Sequence, residues 1–257
     1  DKKREADQTM LRKMSVIILL ILTALWVTNS DSIRPAREFI QNNIYVWSET
    51  QEEKLPIYCV DTDKKQIALT FDTAWGNEDI PQILKILKQE NVKATFFVTD
   101  GNSDYRYLLA KEAAAGHTVA IHSETHDYKY IYSSCDAYFE DLNRMSDIIT
   151  EQTGKRPKLL RFPGGSSNTI SKQYCFRIMS VLTKAVSDQG YKYFDWNVSS
   201  GDAGGTTSTS EVYNNVISGI QSHDISVVLQ HDIKLFSVNA VEDIIVWGLA
   251  NGYTFLP

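Results

Sequence analysis

From Gln66 to the carboxyl end, short β-rich runs alternate with stretches that repeat apolar residues at helical spacing. The runs cover 66–71, 94–98, 118–121, 159–162, 192–198, 225–230 and 253–256, and each reads as a strand. Between the first two, Ile80, Ile83, Leu84 and Leu87 stand at i, i+3, i+4 and i+7, which predicts a helix with Asp79 as its N-cap. Tyr138, Leu142, Met145 and Ile149 repeat that stripe. Further helices are predicted over 105–115, 170–188, 210–221 and 238–250. Gly116, Gly154, Gly190 and Gly252 each fall just past a helix, where left-handed backbone is wanted. Strict alternation of strand and helix predicts a parallel sheet covered by helices, either doubly wound or closed into a barrel. No G-x-G-x-x-G follows the first strand, which removes support for a dinucleotide-binding sheet.

The first 64 residues break this pattern. Lys2, Lys3, Arg4, Arg12 and Lys13 precede an apolar run over 16–27, interrupted only by Thr23. At about 1.5 Å per residue the run is short for a membrane span, and Met14, Ser15 and Thr28 extend it. A basic flank before a short apolar stretch reads as a signal peptide or an uncleaved signal-anchor. No A-x-A site follows Val27, which favours the anchor. The expected organisation is a cytoplasmic basic flank over 1–13, a transmembrane or signal segment over 14–28, a linker over 29–64 with a short helix near 36–44, and an exported domain over 65–257, secreted if the leader is cleaved.

The 43% hydrophobic and 23% charged composition of the 257 residues is that of a globular chain with a sizeable core, and it excludes collagen-like or wholly disordered classes. A net charge of −6 argues against a broad nucleic-acid surface. Cys59, Cys135 and Cys175 are too few for a disulfide-built scaffold and read as unbonded, partly buried thiols. A Cys135–Cys175 bridge is the alternative that an exported domain allows.

Barrels carry their chemistry at the carboxyl ends of the strands. Asp72 follows the first run, His122 and His126 the third, Arg161 the fourth, Asp202 the fifth and His231 the sixth. His117 and His223 stand near strand starts, on the opposite face. Each residue alone has a plainer explanation. An Asp after a strand is commonly a turn or cap residue, Pro163-Gly164-Gly165 suits a turn, and a lone histidine is commonly a satisfied core residue. A His pair at i, i+4 places two imidazoles on one side of a helical turn, which suits Zn²⁺. It is not the H-E-x-x-H of metalloproteases, because Glu124 occupies the third position. The gathering of all these groups on one rim favours a site.

The order of these motifs resembles that of the polysaccharide deacetylase family, the NodB-homology carbohydrate esterases. His122-Ser123-Glu124-Thr125-His126 matches that family's H-[ST]-x-x-H, Arg161-Phe162-Pro163-Gly164-Gly165 its R-x-P-x-G, and Leu229-Gln230-His231 its L-x-H. Lys93-Ala94-Thr95-Phe96-Phe97-Val98 matches its second strand. The resemblance implies a distorted (β/α)7-type barrel that hydrolyses N-acetyl groups on a polysaccharide, peptidoglycan foremost. By carry-over, Asp72 is the general base, Arg161 its partner, His231 the general acid, and His122 and His126 hold a divalent metal ion, Zn²⁺ foremost and Co²⁺ or Mn²⁺ next. The Gly164 amide, where the family often has Tyr, is an oxyanion donor.

Two motifs depart from the family. Its second acidic residue in T-F-D-D-G, a metal ligand, is Thr73 here, so weaker metal binding or a shifted metal preference is expected. The first Asp of its D-x-x-D-W segment is Ser199, and the Trp is Ala203. That leaves Asp202, or else Asp232, as the carboxylate partner of His231. These departures motivate a rival reading, a non-catalytic glycan-binding domain on a decayed site. The aromatic residues Trp75, Trp196, Tyr128, Tyr130 and Tyr132 near the motif loops suit stacking on sugar rings.

Overall fold

The structure, a computed structural model, describes residues 65–73 and 79–257, all within one compact unit spanning Cys59–Pro257. The expected leader, linker and short helix, together with Cys59 and Trp75, lie outside the described residues. Among the described residues, no helix is long and apolar enough to cross a membrane.

Eight parallel strands form one curled sheet: β1 (Gln66–Thr73), β2 (Thr95–Val98), β3 (Thr118–Ile121), β4 (Leu159–Leu160), β5 (Lys192–Tyr193), β6 (Val198–Ser199), β7 (Ile225–His231) and β8 (Thr254–Leu256). Their order is β5-β4-β3-β2-β1-β7-β6. β1 pairs with β7 along one edge, and shares its other edge between β8 at its start and β2 at its end. Covering helices are α1 (Ile80–Gln89), α2 (Tyr107–Ala114), α3 (Tyr128–Ile131), α4 (Cys135–Thr153), α5 (Ile178–Asp188), α6 (Thr209–Gln221), α7 (Leu235–Val238) and α8 (Val241–Ala250). The stripes largely behave as the spacing predicts: Ile83 and Leu87 of α1 and Tyr138, Leu142, Met145 and Ile149 of α4 are buried in one core with Ile67, Leu69 and Phe71 of β1, Leu84 packs half-buried against it, and Ile80 is buried outside that cluster. Each buried Leu or Ile contributes about 1.5–3 kcal/mol of transfer free energy. The four glycines past helices all have positive φ, between 74° and 82°.

The fifth expected strand, 192–198, divides in two. Lys192–Tyr193 pairs with β4 and Val198–Ser199 with β7, while the backbone between them leaves the ladder. The cause is Arg161, whose Nε and Nη2 donate to the carbonyls of Phe194 (3.1 Å) and Asp195 (3.3 Å). Asn197 then ties the chain to β7, with its side chain bonded to Ile225 O and Val227 N. The ring of strands is thus completed by one covalent stretch rather than by a ladder, which is the distortion of the barrel. On the far side Gly219 lets α6 rest on β6, since a Cβ there would lie 2.5 Å from Val198 Cγ1.

Three helix expectations need correction. The stretch 170–188 is a 3-10 turn at Ile170–Gln173 followed by α5, because Arg177 turns left-handed at φ 62°. The stretches 105–115 and 238–250 begin instead with a 3-10 turn at Ser103–Tyr105 and with the separate turn α7. Asp79 precedes α1 without capping it through its side chain, and Pro81, which has no N–H to satisfy, opens the helix. Cys135 and Cys175 are both free thiols, half-buried, so no bridge joins them.

Candidate active site

The carboxyl ends of the strands converge on one buried cluster. Asp72 near the end of β1 and His231 at the end of β7 are Cα partners across the sheet. Arg161 follows β4 and has no exposed side-chain surface. Its Nη1 donates to Asp72 Oδ1 at 2.7 Å and to Thr70 Oγ1 at 2.8 Å, and its guanidinium lies over the Phe97 ring at 4.1 Å. Every direction of this cation is therefore committed, and one carboxylate oxygen of Asp72 is fixed by it. The other, Oδ2, is 3.7 Å from His122 Nε2.

His122 and His126 are not on a helical turn. They occupy the loop after β3, and His126 takes positive φ (53°), a left-handed conformation uncommon for histidine. What shapes the loop is Asp141, a buried residue of α4. Its Oδ2 accepts from Ser123 Oγ (2.7 Å) and Glu124 N (2.8 Å), and its Oδ1 from Thr125 N (2.8 Å) and Thr125 Oγ1 (2.7 Å). Ser123 Oγ in turn accepts from His126 N. The two imidazoles end 5.1 Å apart, centre to centre. His122 Nδ1–H donates to Arg161 O at 2.9 Å, which fixes its tautomer and leaves Nε2 as the ligating nitrogen. Burial, partly offset by Asp72, holds His122 below the usual imidazole range. Burial and then His122 push His126 down to about 4. Both rings are thus neutral at neutral pH, as metal ligands must be. Among the described residues no group of three His, Cys, Asp or Glu is arranged around one point. Thr73, next to Asp72 and last in the same strand, is buried, and its Oγ1 has no hydrogen bond.

His231 is tied to Asp202, with Nδ1–H donating to Oδ1 at 2.8 Å and the backbone N–H to Oδ2 at 2.7 Å. Ser237 Oγ adds a third bond to Asp202 Oδ2 at 2.6 Å. Burial pulls the His231 pKa down, but the hydrogen bond and charge of Asp202, helped by Asp72 and Asp232, outweigh it and leave the imidazole above its ordinary value. Asp202 is correspondingly lowered, burial opposing and His231 prevailing.

The polysaccharide deacetylase family model matches residues 60–177. A peptidoglycan-N-acetylglucosamine deacetylase of Bacillus cereus is 31% identical over 199 residues, 75% of this chain and 69% of its own length. The chain belongs to the polysaccharide deacetylase family. It is similar also to the solved catalytic domain of a peptidoglycan N-acetylglucosamine deacetylase from Eubacterium rectale, with 55% identity and a TM-score of 0.75 over 80% of this chain and 92% of that one. The peptidoglycan-N-acetylmuramic acid deacetylase PdaA of Bacillus subtilis is 28% identical over 200 residues, 77% of this chain and 72% of its own.

The last wall of this deacetylase's site is the loop 163–166. Tyr132 Oη donates to Pro163 O at 2.7 Å, and Asn168 Nδ2 to Gly165 O at 2.8 Å. Asp195 accepts from Ser166 N at 2.9 Å and closely from Ser166 Oγ. Gly164 and Gly165 have φ of 77° and 86°, values that side chains other than glycine rarely adopt. Tyr132 is fully buried and serves this loop, so it is not a surface for sugar rings. Asp141, Ser237, Tyr132, Asn168 and Asp195 were not legible as functional from their motifs. For Asp141 a signal existed: it sits three residues after Tyr138, on the apolar stripe of α4, where a carboxylate needs a buried partner.

Proposed function

We propose that this enzyme removes N-acetyl groups from peptidoglycan sugars, with Asp72 as general base and His231 as general acid. The observation that carries the reading is the pairing of an Arg-held carboxylate with an Asp-held imidazole, facing one another from adjacent strands beside two neutral histidines. The names of the three relatives given above, each a peptidoglycan deacetylase, support the substrate class. The basic flank and apolar run ahead of the domain support delivery across a membrane to where that polymer lies, with an anchor retained or a leader removed.

His122 and His126 would hold a divalent ion, Zn²⁺ foremost. Bound there it supplies Lewis acidity toward the acetamide oxygen and the attacking water. The chain's own groups do the rest. Asp72, aimed by Arg161, takes a proton from water as its oxygen adds to the acyl carbon. Gly164 N–H, which no acceptor within the described residues engages, donates to the oxygen that gains charge. His231, whose protonated form Asp202 favours, gives its proton to the nitrogen as the C–N bond breaks. Acetic acid and a free amine form, the acid giving up its proton to the amine or to solvent, and Asp72 returns the proton it took so that His231 is recharged through solvent. With Thr73 in place of a carboxylate, the two imidazoles are the protein groups that would hold the ion.

The test is acetate release from N-acetylglucosamine oligomers and from purified peptidoglycan, using protein stripped of metal and resupplied with Zn²⁺, Co²⁺ or Mn²⁺. Metal-dependent release is expected, and His122→Ala is expected to lower bound metal and turnover together. Silence of a folded, metal-loaded sample on both substrates would overturn the reading in favour of a non-catalytic glycan-binding domain.

A further inference from the structure

Tyr128 opens α3, two residues past His126, and stands between the two loops that build the site. Its ring lies edge-on to His126 (centroids 5.4 Å apart) and to Tyr132 (5.7 Å). On the other side is Gly164: a Cβ placed there would be 3.1 Å from Tyr128 Oη and 3.4 Å from Cε1. The missing side chain at Gly164 is therefore what admits the phenol. Tyr128 Oη makes no hydrogen bond to any described residue, unlike Tyr130 and Tyr132, whose hydroxyls bind Glu140 and Pro163 O. A phenol, with its ordinary pKa near 10, is an O–H donor through the neutral range.

Two donors without acceptors, Gly164 N–H and Tyr128 Oη–H, thus neighbour one another on the rim occupied by Asp72 and His126. The hydroxyl has no acceptor among the described residues and is not buried away from the site, so it can bond a group brought in there. We propose that Tyr128 is a catalytic residue, donating a hydrogen bond from Oη–H to the acyl oxygen beside Gly164 N–H. This rests on the deacetylase reading above. The proton stays on Tyr128, which donates a hydrogen bond and transfers nothing. The bond is weak to the neutral carbonyl and strengthens as that oxygen becomes an anion, because hydrogen bonds to charged acceptors are about twice as strong as neutral ones. Tyr128 therefore acts on turnover more than on substrate binding.

Tyr128→Phe removes the hydroxyl and keeps the ring against His126 and Tyr132. For acetate release from N-acetylglucosamine oligomers by the full chain, kcat is expected to fall ~10–100-fold, somewhat less than for a fully buried oxyanion donor. KM and the thermal melt are expected to be unchanged. A methylphosphonamidate of glucosamine, tetrahedral where the acetamide is planar, is expected to bind the variant weaker by a similar factor. An active wild type with a Phe variant within about twofold of it in kcat overturns the role of Tyr128 alone. A loss confined to KM, with analogue binding unaltered, overturns it too and makes the residue a binding surface. A wild type that releases no acetate overturns the deacetylase reading, and this role with it.

Discussion

Asp202 grips His231 at two points, its Oδ1 on the ring Nδ1–H and its Oδ2 on the backbone N–H, across 29 residues of sequence. The ring is thereby oriented by the same carboxylate that keeps it charged. A raised imidazole pKa and a lowered carboxylate pKa together describe an ion pair formed on folding.

The pair sets the alkaline limb of activity. His231 must be protonated to act as an acid, so turnover is lost as pH rises through its raised pKa. Asp202→Asn removes the charge that raises it, so the alkaline limb of the kcat/KM profile moves to lower pH and kcat falls, by up to the ~10²–10⁴-fold attached to general acid–base groups. The same pair contributes stability between two limits. The His231 share is complete below its unfolded pKa and disappears as pH rises through the folded value. The Asp202 share is complete above its unfolded pKa and disappears as pH falls through the folded value.

Arg161 is held by a carboxylate, a hydroxyl and two carbonyls while having no exposed surface. Arg161→Met leaves Asp72 buried without its cation, and a loss of about 3–5 kcal/mol is expected in urea unfolding. Arg161→Lys keeps the charge but not the fork, so it is expected to restore only part of the stability. It should also loosen 194–197, seen as faster amide exchange there.

Asp141→Asn tests the support of the histidine loop. The substitution preserves shape but replaces one acceptor oxygen with a donor facing other donors. Metal affinity, read by competition with a chelating dye, is expected to fall ~10–100-fold, as for the loss of groups that orient metal ligands. The helix α4 should be retained by circular dichroism.

His117 lies at the other end of the strands, where its Nδ1 accepts from Ala94 N at 3.3 Å. Burial and then Lys93 push its pKa down to about 4. The unfolded chain binds that proton near 6.5, so stability falls as pH drops from there towards 4. His117→Asn is expected to show a shallower decline of the urea midpoint over that window.

The site was legible in the sequence where function and strand ends coincide. Asp72, His122, Arg161 and His231 each terminate or follow a β-rich run, so alternation of strand and helix sufficed to place them on one rim. Asp202 was recognised as a candidate only, since proximity to His231 depends on how 192–199 crosses the sheet. That crossing was read as one strand because Tyr193, Phe194, Trp196 and Val198 have β propensity. The hydrogen bonds that Arg161 withdraws from the ladder come from 33 residues away, and local pattern does not record them. The supporting residues were hidden for the same reason. Asn168 and Tyr132 act through carbonyls of the turn 163–165, and nothing in their immediate neighbours marks it.

The in-register pairing of Asp72 with His231 makes the spacing of base and acid a property of the sheet itself. Adjacent strands run about 4.8 Å apart, and side chains alternate faces with every residue. A single-residue insertion early in β1 or β7 would send one of the two reactive groups to the helix-covered side and bring its preceding neighbour, Phe71 or Gln230, inward. These two strands are therefore closed to changes in length, whereas the loops bearing His126 and Gly164 can be resized without disturbing the gauge between proton donor and acceptor. Divergence in what such an enzyme accepts has room in those loops, around a proton-transfer distance that the backbone ladder keeps fixed.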